Sequence, residues 1–161
     1  LNKMEKEVQS WIEKLKNKEF DLSKQEDLSI ALMNLISLEE HFYFSSMKTG
    51  NKVYLDMLNS TRALRKSLLK RIVKNPKGEE WCISKHLLAS SMRLIEVGTK
   101  ELQDNEEEAN FYFKAAFELY SLFFAINTNI IEIKDIKSKE PGLFKTKISE
   151  IVKKIVDCCK E

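Results

Sequence analysis

Glycine, proline and histidine are scarce in this chain. Four glycines and two prolines in 161 residues are too few for a fold built from many tight turns, which argues against an all-β architecture and for long helices. The three cysteines are Cys82, Cys158 and Cys159. An odd count with a vicinal pair makes a poor disulfide framework, and no two of them have zinc-ligand spacing. A reducing, cytoplasmic setting is therefore expected. No apolar run reaches ~18 residues without a charge, so no membrane-spanning segment is expected. The first residues, LNKMEKEVQSWIEKL, are amphipathic and do not have the layout of a signal peptide. No large charge excess exists either: 27 basic residues face 25 acidic ones, for a net charge of +2. The overall balance selects no partner. No Gly-rich phosphate loop is present, and no cofactor is expected.

What the chain has in quantity is helical periodicity. Residues 3–19 carry one apolar stripe, Met4, Val8, Trp11, Ile12 and Leu15. Residues 28–47, LSIALMNLISLEEHFYFSSM, are apolar on almost every face, as suits a helix inside a bundle. Ser23 and Glu26 have capping-box spacing just before this run, and Gly50 suits a left-handed C-cap just after it. Asn51 then caps a helix over 52–74. Asn75-Pro76-Lys77-Gly78 is the clearest loop. A further helix over 79–103 has a packed face of Ile83, Leu87, Ser90, Ser91, Leu94 and Gly98. Asp104-Asn105 with three glutamates following marks another capped start. The segment 106–127 is apolar or aromatic nearly all round. Residues 128–141 are left open as a short helix or an extended link. After Pro141-Gly142, residues 143–160 set Phe144, Ile148, Ile151, Val152 and Ile155 on one face and lysines on the other. The expected fold is all-α: a single domain over 1–161, an up-and-down bundle of five to seven antiparallel helices, with 28–47 and 106–127 central.

Two charges sit where the periodicity demands apolar residues. Glu39 falls among Leu32, Leu35 and Phe42, and Arg65 lies beside Leu58, Leu68 and Ile72. A buried charge must be paired, protonated or functional. Both residues lie roughly 17–22 Å from the turn at Gly50 along their helices, so they can meet. The sequence favours a buried ion pair that fixes helix register over a reaction centre. Glu40 sits on a flank beside Ile36, Phe44 and Met47, where a further helix is expected to cover it. His41 falls on the polar side, in line with Asn34 and Lys48.

His86 is a third buried polar candidate. It stands four residues after Cys82 on a flank that continues to Ala89 and Arg93. That spacing could activate a thiolate, but no acid stands at the next turn to orient the imidazole, and packing is the favoured reading. Di-metal bundles use Glu-x-x-His pairs. Leu38 and Ile83 occupy the positions three before His41 and His86, so no metal site is expected.

Charge is unevenly placed. From Asn51 to Lys77 there are eight basic residues and one acid, Asp56; from Glu96 to Glu108 there are six acids and one base, Lys100. Arg62, Lys66 and Lys70 form a helical row that ends near Lys74. With Arg71 and Arg93 they are the candidates for binding phosphate. A solvated face that complements the helix dipole is the favoured alternative.

The stretch Leu94 to Asn127, with Ala109, Phe113 and Ala116 at i, i+4 and i+7, resembles the second helix of one tetratricopeptide hairpin. No second copy follows, so the resemblance implies a tight helical hairpin alone. The Arg followed closely by His that marks helical ribonucleases of the HEPN type is missing. Tyr43, Phe44, Phe111, Phe113, Phe117 and Phe124 are more aromatic residues than one core of this size can enclose. The expected function is therefore a non-enzymatic helical interaction or scaffold domain, binding protein (itself or another chain) through aromatic surface. A homo-oligomer is one form of this. The alternative is a nucleic-acid or nucleotide-phosphate binder, a hydrolase included, that uses the basic row.

Overall fold

The computed structural model describes residues 22–128, with Glu13 and Lys153. These residues form four helices: α1, Leu22–Thr49; α2, Val53–Ile72; α3, Glu80–Glu101; and α4, Glu106–Asn127. There is no strand among them, and no helix long and apolar enough to cross a membrane. The helices expected over 3–19 and 143–160 lie outside the described residues, as does most of the 128–141 link. The all-helical class stands, with four helices described where five to seven were expected.

Each boundary has a local cause. Gly50 adopts φ +67, and its N–H bonds to the Ser46 carbonyl at 2.9 Å, which closes α1 in the left-handed conformation that glycine tolerates. The Asn51 side chain accepts the Val53 N–H at 3.0 Å, while Lys52 takes the N-cap position expected for Asn51. The Asn105 side chain accepts the Glu108 N–H at 3.1 Å, and three acids occupy the first turn of α4. This is the capped, dipole-complemented start that the sequence suggested.

Consecutive helices pair as hairpins, α1 with α2 and α3 with α4, and α1 also packs on α3. The α3–α4 hairpin is close because its seam is small. A Cβ at Gly98 would lie 2.7 Å from the Phe113 ring, and Ser91 Oγ donates to the Ala116 carbonyl at 2.9 Å. The core gathers at one end of the molecule. There Leu32, Met33 and Ile36 of α1 meet Leu69 and Ile72 of α2, Leu87 and Leu88 of α3, and Phe123 to Ile126 of α4.

The centrality expected of 28–47 needs correction. The half of α1 before Ser37 enters the core, but Leu38, Tyr43, Phe44 and Met47 are exposed. Beyond about residue 40, α1 buries only Phe42 and Ser46. The cause is tertiary: a helix apolar all round is enclosed only where neighbours reach it. The expectation for 106–127 holds better, because its second half is buried, although Phe111 is open to solvent.

Candidate functional site

Two neighbouring carboxylates on α1 join the helices. Successive residues on a helix point ~100° apart, so Glu39 and Glu40 face different neighbours. Glu39 turns to α2. Arg65 Nε donates to its Oε1 at 2.6 Å, and Arg65 Nη2 donates to Oε2 at 3.1 Å. The Arg65 side chain is 3% exposed and that of Glu39 12%. This two-point geometry matches the planar guanidinium fork to the carboxylate and fixes both rotamers. Arg62 Nη1 lies 3.9 Å from Glu39 Oε2 at the solvent edge of the pair.

Glu40 turns to α3, where Arg93 Nε donates to its Oε2 at 2.9 Å. This pair is 41% and 51% exposed. Solvent screens it, and it contributes about 0–1 kcal/mol. The inner pair differs. It offsets its own desolvation only while both partners are present, so losing one partner costs far more than the pair contributes.

Above the Glu40–Arg93 pair, α1 and Arg93 frame an open cleft of about 650 Å³. Asn34, His41, Lys48 and Arg93 supply its polar wall, and Leu38 and Phe44 an apolar one. Ser37 and Glu40 also line it, so its wall carries charges of both signs.

A third contact joins α1 to α4. Ser29 Oγ lies 2.6 Å from Tyr120 Oη and donates to the Glu26 carbonyl, also at 2.6 Å. With the serine proton on Glu26, Tyr120 must donate to Ser29. Burial pushes the Tyr120 hydroxyl up to about 12, and the nearby charges of Glu26 and Asp27 add to the rise.

The structure brings some of the sequence candidates together and separates others. Glu39 and Arg65 meet. His86, expected among the buried polar residues, is exposed on α3 and makes no hydrogen bond to Cys82, which is also exposed. Both fall on the flank of α3 outside its packed face, so the burial expected of His86 does not hold. His41 is exposed, as its position beside Asn34 and Lys48 suggested. Arg62, Lys66, Lys70 and Arg71 are exposed along α2. Arg93 does not extend their row, because it lies on α3 and is bound to Glu40. Sequence reasoning missed the Glu40–Arg93 and Ser29–Tyr120 contacts. Its one signal was that Glu40 needed cover from a further helix. Cys158 and Cys159 lie outside the described residues, and among the described residues no group of three metal-ligating side chains forms.

Compared with known proteins, the chain matches no family model, no curated protein and no solved structure.

Proposed function

We propose that this chain is a non-enzymatic helical interaction domain that docks a protein partner on the end of α1 beyond the core. One observation carries this reading. The stripe of α1 that is core at Met33 and Ile36 continues at helical spacing through Glu40 to Tyr43, Phe44 and Met47. These last three are 48%, 58% and 59% exposed. Contiguous exposed apolar surface of this kind marks an interaction site. The cleft beside it, with Lys48, His41 and Arg93, adds polar groups that can orient a partner. The test is photo-crosslinking from position 44 or 47 in living cells of the source organism, with position 66 on α2 as control. A discrete protein adduct is expected from 44 and 47 and not from 66, and Tyr43→Asp abolishes it. If no discrete adduct forms from either position, the reading is wrong.

A second reading rests on α2. Lys66, Lys70 and Arg71 are exposed and form no ion pair among the described residues, which leaves them available to phosphate. On this reading the chain binds nucleic acid or a nucleotide, a hydrolase included. Binding should then fall steeply with salt and disappear in the Lys66→Glu, Lys70→Glu double variant. Binding that survives both would dismiss it.

A further inference from the structure

The exposed apolar end of α1 borders basic surface. Arg62 Nη1 lies 3.9 Å from Glu39 Oε2, and Tyr43 stands one turn beyond Glu39 on α1. The end of α1 and the first turns of α2 therefore share one side of their hairpin. Beside the exposed Tyr43 and Met47, this turn of the molecule presents Lys48, Lys52 and Arg62, all open to solvent.

The chain carries the opposite of this surface at the turn between α3 and α4. There Asp104, Glu106 and Glu107 are exposed beside two exposed apolar residues, Leu102 and Phe111. Phe111, at 63%, is the most exposed large apolar side chain among the described residues, and it lies on the same face of α4 as Glu107, four residues earlier. Lys48 and Lys52 on the first surface, and Asp104, Glu106 and Glu107 on the second, take part in no ion pair among the described residues. Within one copy the two surfaces do not cover each other, since Tyr43, Met47 and Phe111 all stay exposed.

Both surfaces lie at one end of the molecule. α1 and α3 share the core at Ile36 and Leu87 and meet again at Glu40 and Arg93, so they run in the same direction. From that pair they extend for similar lengths, to Thr49 and Glu101. Two copies related by a two-fold axis at this end set the basic turn of each against the acidic turn of the other, and both contacts close at once.

We propose that the partner seated on the end of α1 is the α3–α4 turn of a second copy of this chain. Lys48 and Lys52 face Glu106 and Glu107, and Tyr43 and Met47 meet Leu102 and Phe111. The proposal rests on the docking function of α1 and names its partner. Apolar contact supplies the affinity, and the complementary charges fix which surfaces meet. A net charge of only +2 opposes self-association little.

The test is sedimentation velocity on the purified full chain over a range of concentrations. A concentration-dependent step from one chain to two is expected. Lys48→Glu with Lys52→Glu, or Glu106→Lys with Glu107→Lys, should each weaken dimerisation at least about tenfold. Mixed in equal amounts, the two variants should dimerise again, because every contact then pairs opposite charges; that recovery also shows that both are folded. Tyr43→Asp and Phe111→Asp act on the two sides of the apolar contact and should weaken it alike. A parent chain that stays monomeric overturns the proposal. So does a dimer that both charge reversals leave intact, or variants of parental helical circular dichroism whose mixture stays monomeric. The docking function fails separately, when crosslinking from 44 and 47 gives no protein adduct; a monomeric chain whose adduct is another protein overturns only the second copy.

Discussion

The two hairpins of this molecule solve the same problem by opposite means. Both must hold antiparallel helices in one register. The α3–α4 hairpin does it with small residues. Gly98 lets Phe113 approach, Ala109 and Ala116 are buried, and Ser91 bonds across to the α4 backbone. The α1–α2 hairpin does it with charge, through Arg65 and Glu39 at the middle of its length. Apolar close packing stabilises in proportion to contact and tolerates no added volume. A buried ion pair adds little net stability but penalises every arrangement that separates it. The first hairpin is therefore set by shape and the second by pairing.

The largest expected effect breaks the charged hairpin. Arg65→Met leaves a carboxylate without its partner in a nearly closed site and should lower unfolding free energy by about 3–5 kcal/mol in urea titration. The double variant Glu39→Leu, Arg65→Met should recover most of that loss. If the single variant is as stable as the parent, the contrast between the hairpins fails. Next comes the shape-set hairpin. Gly98→Val places new atoms against the Phe113 ring and should cost about 1–3 kcal/mol. No added opposite charge can rescue it, since no charge is involved. The smallest effect sharpens the comparison within α1 itself. Glu40→Gln weakens the exposed pair with Arg93 and should shift stability by under about 1 kcal/mol. That loss should shrink further as salt rises. A large loss would mean that the outer pair, not the inner one, holds the hairpins together.

The Ser29–Tyr120 contact lies between the hairpins and belongs to neither. It joins α1 to α4 across most of the described chain, and no local pattern announces it. The same holds for Glu40 and Arg93. Periodicity placed each on a flank of its own helix but could not say that the two flanks face each other.

The sequence by itself determined the helices and the inner pair. Scarce glycine and proline, the stops at Gly50 and at Asn75 to Gly78, and the Asn105 cap are local signals, because a helix closes its hydrogen bonds within a few residues. Glu39 and Arg65 were legible for a related reason. A short turn makes α1 and α2 neighbours, and a charge inside an apolar stripe needs a partner at the same height. Only the tertiary structure decided how the two hairpins lie against each other. That arrangement exposed His86, took Arg93 away from the basic row of α2, and left the end of α1 outside the core. Residues 28–47 look uniformly buried in sequence. Burial, however, is a property of what neighbours reach, and α3 and α4 cover only the first half.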